Sequence, residues 1–425
     1  MSEHIKEITQ KEFQAEVLDR ERAVVDFYST ECPPCEAFAL KYERAAKILG
    51  NDVPFFKVFR QGNRELAEEY GVKSSPTVLF FKKGKALSER LSGAITYSSL
   101  VNGLLKLAPE KAIAFAVPKE KTVTETDVII LGAGPAGLTA GIYLAQAKLN
   151  AVIVDTALPG GYVTVTHEVS NYPGFPEAQK GFMLGHYMYE QARLAGCVFR
   201  AASEITGVDL EKKTVELDGV ETLRGRFVIV ATGSRPRPLG VPGEDEYRGK
   251  GISYCATCDA KYYEGKDVVV VGGGNSAVEE AMFIAKFAKT VTIVHQFDEL
   301  TARKQAVDKA RAVPSISFLL GREPRRFARN NTHMYVDVEE LATGTRTTLE
   351  PHGVFIFAGF IPNTQTLKPA PAADQYGYLV TDESMLTNLP GVYAVGDVRS
   401  KKHRQITTAV ADATIAAIEI AAASG

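Results

Sequence analysis

Tryptophan is absent from this 425-residue chain, and cysteine is scarce at five residues. So few cysteines exclude a secreted scaffold held together by disulfides. Neither sign of charge is in excess: 49 Lys and Arg stand against 51 Asp and Glu, a net −2, which leaves no basic field to hold nucleic acid. No apolar run approaches the roughly 18 residues of a membrane span. The N-terminal MSEHIKEITQKEF is polar and lacks the apolar core of a signal peptide. These absences predict a soluble, cytoplasmic protein with neither a nucleic-acid nor a membrane partner. The length predicts on the order of two to four domains.

What is present is mostly α/β patterning. Up to about Leu107, apolar runs of strand length (AVVDFYS, VPFFKVF, PTVLFFKKGK) alternate with helical spacing, as in SSLVNGLLKL. The following APEKAIAFAVPKEKTVTETD has no period and reads as a linker, placed at 109–124. Beyond it one unit occurs twice. TDVIILGAGPAGLTAGIYLAQAKLNAVIVD is strand, glycine turn, helix, strand, and KDVVVVGGGNSAVEEAMFIAKFAKTVTIVH repeats it 140 residues later. Two such βαβ units predict two dinucleotides bound side by side.

In the first turn, Gly132 permits the tight bend, Gly134 lets backbone approach a pyrophosphate, and Gly137 lets helix and strand pack closely. Pro135 and Ala136 open the helix whose N-terminal N–H groups would meet the phosphates. Asp155 ends the second strand 23 residues after Gly132, where a carboxylate accepts from ribose hydroxyls. The second turn, Gly272, Gly273, Gly274, Asn275, Ser276 and Ala277, has the same form. Its strand ends at His295, also 23 residues on, so a histidine holds the place of the acidic ribose ligand.

Four cysteines form two C-x-x-C pairs, in ECPPCE and YCATCD, and Cys197 in RLAGCVF reads as a small buried hydrophobe. The pairs could form a four-cysteine zinc site, redox disulfides, or buried thiols without reactivity. A separation of 220 residues between Cys35 and Cys255, in different modules, counts against zinc, and no metal site is expected.

GAGPAG, Gly160-Gly161, NYPGFP, ATGSRPR, CATCD, GGGNSAVEEA, FAGFIPNT and GDVRSKKHRQITTAVADA stand in the order found in the low-molecular-weight thioredoxin reductases. From about Thr126 onward the chain resembles that family. The resemblance implies an FAD domain (125–240 and 365–425) interrupted by a nicotinamide-type domain (241–364) that carries the redox pair, within a homodimer. It implies that Gly160, Gly161, Asn171 and Gly396 line the FAD site and that Asp397 holds the ribityl chain. Arg404, Gln405 and Ile406 would meet the flavin at a helix N-terminus. Cys255 and Cys258 become a disulfide reduced by the flavin, with Asp259 as its acid/base, although a helix-capping Asp259 is compatible with the pattern.

Residues 1–108 resemble thioredoxin through VVDFYSTECPPCEAF. The resemblance implies a thioredoxin fold ahead of the two Rossmann-like domains, with Cys32 as nucleophile, Cys35 as resolving thiol, Asp26 as buried carboxylate, and Pro76 in a cis-proline loop. Tyr28 and Glu31 stand where that family has tryptophans, and Pro33 stands for its glycine. Pro33 and Pro34 have no N–H to offer a Cys32 thiolate, which predicts a less acidic, more reducing pair.

Together these features predict a flavin-dependent disulfide reductase that passes electrons from FAD through Cys255–Cys258 to its own Cys32–Cys35. Free thioredoxin or a peroxiredoxin is a further acceptor. The alternatives are a peroxiredoxin reductase with a thioredoxin-like shuttle, and a flavin dithiol oxidase. At the donor site, relatives that use NADPH carry arginines after the histidine. Here HQFDELTARK places Gln296, Phe297 and Thr301 in those positions, with Arg303 and Lys304 out of register. NADPH is therefore expected to be a poor donor, while NADH and ferredoxin remain as replacements.

Overall fold

The computed structural model describes residues 4–424 apart from 51, 113–114, 116–120, 167 and 170, and without the side chains of 168, 257 and 258. Three α/β bodies follow one another. The first is a five-stranded sheet in the order Ile5–Glu7, Phe55–Phe59, Arg22–Tyr28, Thr77–Lys82, Lys85–Ser92. The first three strands are parallel and the last two antiparallel. Strand alternation sends Val24, Val78 and Phe80 to one face, under the helices Pro33–Leu49 and Tyr97–Leu107. It sends Val25, Phe27, Leu79 and Phe81 to the other, against Phe13, Val17 and Leu66.

The second sheet runs Val198–Arg200, Ala151–Val154, Thr122–Leu131, Glu221–Val230, Thr214–Leu217, Ile205–Asp209. Glu221–Val230 changes partners along its length. Its first half pairs antiparallel with Thr214–Leu217, and its last three residues pair parallel with Val392–Ala394. A strand from the far end of the chain thereby completes this domain. Thr122–Leu131 begins inside the segment read as linker, because Thr122–Thr124 pair with Glu221–Leu223. The helices Pro135–Gln146, Gly181–Leu194 and Ile406–Ser424 share its apolar core.

The last helix has the length and mean hydropathy of a membrane span, although Asp412 and Glu419 interrupt its apolar residues. Ile406–Ser424 has 19 residues and a mean hydropathy of 1.5. Ala409, Ala413, Ala416, Ala417 and Ile420 bury one face in the core, while Ile415 and Ile418 remain exposed.

The third body is a parallel sheet in the order Ile252–Ser253, Gly353–Ile356, Asp267–Val271, Thr290–Val294, Ile316–Leu319. An antiparallel three-stranded sheet, Arg322–Arg329, Met334–Glu340 and Arg346–Leu349, lies beside it.

Candidate active site

Cys32 caps the helix Pro33–Leu49 and is disulfide-bonded to Cys35. The two prolines occupy the first helical turn, so the first available donor is the Cys35 N–H, which donates to the Cys32 sulfur at 3.2 Å. Pro33 and Pro34 offer Cys32 no N–H, as their residue type requires, and the Cys35 N–H is the donor beyond them. The Ser75 carbonyl oxygen lies 3.6 Å from the same sulfur and would accept from the thiol after reduction. Ser75–Pro76 is a cis peptide, and Ser29 and Arg60 both donate to the Ser75 hydroxyl, at 2.7 and 3.0 Å. Beneath the disulfide, Asp26 is 2% exposed and its Oδ1 has no hydrogen-bond partner. Burial pushes its carboxyl up to about 7, with Lys57 pulling the other way.

At the first glycine turn the three glycines differ in role. A Cβ on Gly132 would lie 2.3 Å from the Ala231 carbonyl oxygen, and one on Gly137 would lie 1.9 Å from the Gly132 oxygen. Both positions are excluded by packing. At Gly134 the nearest atom is the Gly161 Cα at 3.6 Å, so the turn opens there into a cradle. Gly160 donates its N–H to the Ala133 carbonyl at 2.8 Å, which fastens the Gly160-Gly161 loop to this turn. Asp155 accepts from the N–H groups of Ala133 and Ala157, at 2.7 and 2.8 Å. Its carboxylate therefore clamps the turn, and burial raises its pKa.

The second half of the cradle comes from the C-terminal segment. A Cβ on Gly396 would lie 3.0 Å from Ala136 Cβ, which places the Gly396-Asp397 turn against the start of the helix Pro135–Gln146. Asp397 Oδ1 is buried without a hydrogen-bond partner. Burial raises its pKa against the pull of Lys401 and Arg404. Arg404 stacks 3.6 Å above the Tyr378 ring, and Asn171 donates to Gln405 at 3.3 Å. Ile406 starts the C-terminal helix. A glycine cradle beside a buried carboxylate oxygen that makes no hydrogen bond, with Lys401 Nζ 4.0 Å away, fits a hydroxyl-bearing dinucleotide such as FAD.

Sequence reasoning missed what holds this turn. Asp412 accepts from the Gly396 N–H, Arg399 and Lys401, at 3.0, 2.7 and 2.9 Å. The available signal was an acidic residue in an alanine-rich helix.

The second glycine turn is more closed. A Cβ on Gly273 would lie 2.4 Å from the His295 ring, while Gly274 faces open space as far as Thr301 Oγ1 at 3.9 Å. His295 is buried with Nε2 unpartnered, and burial holds the imidazole neutral by lowering its pKa. The following loop folds back on the turn. Thr301 and Ala302 donate their N–H groups to the Gly273 carbonyl, at 2.9 and 3.0 Å, and Arg303 donates its N–H to the Asn275 side chain at 2.8 Å. Ser276 and Ala277 lie in the first turn of the helix Asn275–Ile284, with Ala277 buried. Lys304 is paired with Asp308 at 3.1 Å. The turn therefore presents His295 Nε2 without a hydrogen-bond partner, and the loop beside it carries Gln296, Phe297 and Thr301.

Cys255 is disulfide-bonded; its N–H donates to Ser253 Oγ at 3.1 Å. The side chain of Cys258 lies outside the described residues. Asp259 precedes the short turn Ala260–Tyr263, where its side chain makes no capping hydrogen bond. Cys197 is buried and free, and burial pushes its thiol up to about 11, so thiolate chemistry is disfavoured. Among the described residues no cluster of His, Cys, Asp and Glu is placed to hold a metal.

Comparison with known proteins agrees with this geometry. The pyridine nucleotide-disulphide oxidoreductase family matches residues 126–413, and thioredoxin matches residues 4–106. A thioredoxin reductase of Peptoclostridium acidaminophilum is 42% identical over 300 residues, covering 69% of this chain and 95% of that protein. One from Bacillus subtilis is 38% identical over 294 residues, 68% and 92% of the two chains. The crystal structure of Lactococcus lactis thioredoxin reductase in its FR conformation superposes with a TM-score of 0.60 at 35% identity, covering 69% of this chain and 97% of that one. With two glycine-turn dinucleotide folds and a C-x-x-C pair in the second of them, the chain belongs to the pyridine nucleotide-disulphide oxidoreductases, as a flavoprotein of the bacterial thioredoxin reductase type with a thioredoxin domain at its N-terminus.

Proposed function

We propose that this enzyme reduces its own thioredoxin domain, with electrons passing through Cys255 and Cys258 to Cys32–Cys35. The observation that carries the reading is one chain holding two C-x-x-C pairs, with Cys32–Cys35 and Cys255 both in disulfides. Asp397 and the Gly134 cradle would hold FAD, which supplies the two electrons that open the Cys255–Cys258 disulfide. Asp259 is the proton donor beside the leaving thiolate. One thiolate of the reduced pair then attacks the Cys32–Cys35 bond, forming a mixed disulfide and releasing the other sulfur of that bond. The second thiolate of the attacking pair resolves it, so one disulfide is re-formed as the other is reduced. A linker of about 15 residues gives the tethered partner an effective concentration in the mM range.

The donor follows from the second glycine turn. His295 Nε2 supports a ribose contact, and the loop beside it, which holds Gln296, Phe297, Asp298 and Glu299 before its first cation at Arg303, disfavours the 2′-phosphate of NADPH. NADH fits the retained Gly272, Gly274 and Ala277. Ferredoxin is the second donor: one near −400 mV would drive a thioredoxin near −270 mV with about 6 kcal/mol to spare for two electrons. The single thioredoxin-like domain favours thioredoxin clients over a dedicated peroxiredoxin route, with free thioredoxin as an additional acceptor. The exposed Ile415 and Ile418 on the C-terminal helix support a homodimer. Anaerobic flavin bleaching with NADPH, NADH and reduced ferredoxin in turn, followed by insulin reduction, tests the reading. Flavin that is reduced while Cys32–Cys35 stays oxidised would refute the route.

A further inference from the structure

The thioredoxin domain is fastened to the flavin domain by one face of its active-site helix. Phe38, Tyr42, Ala45 and Ala46 turn into that domain's own core, and Glu36, Ala37, Lys41 and Arg44 run along the helix beside them. That side is covered. Lys41 is only 4% exposed, and its ammonium donates to the Ala37 carbonyl at 2.9 Å and across the junction to the Ala201 carbonyl at 2.7 Å. Tyr189 donates its hydroxyl to Glu36 at 2.7 Å. Arg44 lies 3.5 Å from Glu221, which Arg200 also binds at 3.0 Å. Ser98 donates to Glu204.

A lysine on a surface helix loses its hydration only if something holds it there. Here the holding group is a flavin-domain carbonyl, and burial lowers the Lys41 pKa to about 8, with Asp218 opposing the shift. A cavity of about 210 Å³ remains in the junction. Pro33, the residue after Cys32, shares its wall with Pro159, Tyr189 and Cys197. The hydrogen bonds between the two bodies run to Tyr189, Ala201, Glu204 and Glu221, all in the flavin domain.

We propose that the Glu36–Arg44 face of this helix and the Tyr189–Glu221 surface form a latch that parks the thioredoxin domain on the flavin domain, and that the latch opens before Cys32–Cys35 exchanges with Cys255 and Cys258. The second half rests on the electron route proposed above; the first half does not.

The test uses the full-length oxidised protein and the variant Lys41→Glu, which sets a carboxylate against the Ala37 and Ala201 carbonyls. Small-angle scattering should show a larger maximum dimension. Alkylation of Cys197 by a maleimide, followed by mass spectrometry, should accelerate about ten-fold or more as the junction opens. Tyr189→Phe, which keeps the ring and loses one bond, should give a smaller change in the same direction and serves if Lys41→Glu does not fold. Folded variants with wild-type scattering and wild-type Cys197 labelling would overturn the latch. In single-turnover reduction, transfer to Cys32–Cys35 should be faster in the opened variant. Slower transfer would mean that the docked position is the productive one and would overturn the parking role. Absence of transfer in wild type and variant alike, with scattering changed as expected, would refute the electron route and leave the latch standing.

Discussion

The ring of His295 closes over Gly273, so near that a Cβ on the glycine would meet it at 2.4 Å. The loop after His295 is tied to the same glycine through the Thr301 and Ala302 N–H groups. Because that loop carries Gln296 and Phe297, NADPH should reduce the flavin slowly. Installing Gln296→Arg with Phe297→Arg should tighten NADPH relative to NADH, since each charge-assisted bond contributes about 1.5–3 kcal/mol. Stopped-flow titration of both nucleotides measures this. Rapid wild-type reduction at micromolar NADPH would mean that Arg303 reaches the phosphate instead.

Asp397 is expected to retain the flavin through its unpartnered Oδ1. Asp397→Ala should purify with a lower ratio of flavin to protein absorbance, while its circular dichroism stays like wild type. A fully yellow Asp397→Ala protein would remove this residue from the FAD site.

Asp412 should matter more for stability. Asp412→Ala leaves the Arg399 and Lys401 charges and the Gly396 N–H without their shared partner. Removing one member of such a buried network costs about 3–5 kcal/mol. The melting temperature should fall, and flavin should be lost with it. Unchanged melting would show that water replaces the carboxylate.

Asp26 makes the thioredoxin domain's stability depend on pH in a defined direction. Its carboxyl rises from 3.8 to about 7 on folding. The stabilisation from the neutral acid is complete below pH 3.8, declines above it, and is gone above about 7, where the fold must bury an anion. The full span is on the order of 4 kcal/mol. Asp26→Asn should therefore stabilise the domain at pH 8 and change little near pH 4, as read by denaturant titration at both pH values. It should also slow disulfide exchange if Asp26 moves the proton of Cys35.

Cys255→Ser and Cys258→Ser should each stop electron transfer to Cys32–Cys35 with flavin content unchanged, because exchange needs both an attacking and a resolving sulfur. Substantial insulin reduction by either variant would rule out the relay.

Much of the fold was legible because its signals are local. A strand, a glycine turn, a helix and a strand lie within about 30 residues of each other, and two such units plus the thioredoxin-like segment already define three α/β bodies. The linker was read as running to 124, whereas the strand starts at Thr122, because pairing with Glu221 cannot be read from a polar, aperiodic stretch. At the sites, the glycine turns and the cysteine pairs could be named from residue type and spacing, whereas Asp397 entered only through the resemblance to the thioredoxin reductases. Asp412, Lys41 and Tyr189 could not be named, because each acts through a partner distant in sequence. The back-folding of Thr301 and Ala302 is carried by backbone N–H groups, which every sequence has.

Val198–Arg200 is the terminal strand of the flavin-domain sheet, and the thioredoxin helix sits beside it through Lys41 and Ala201. An uncovered parallel-sheet edge is a template for pairing between molecules, and Leu194 and Val198 already expose apolar surface there. The fused domain thus packs beside this edge while leaving Leu194 and Val198 exposed. A flavin core produced without residues 1–108 would lose the partners of Tyr189, Ala201, Glu204 and Glu221, so a loss of activity in it would report a disturbed flavin domain as much as a missing redox partner.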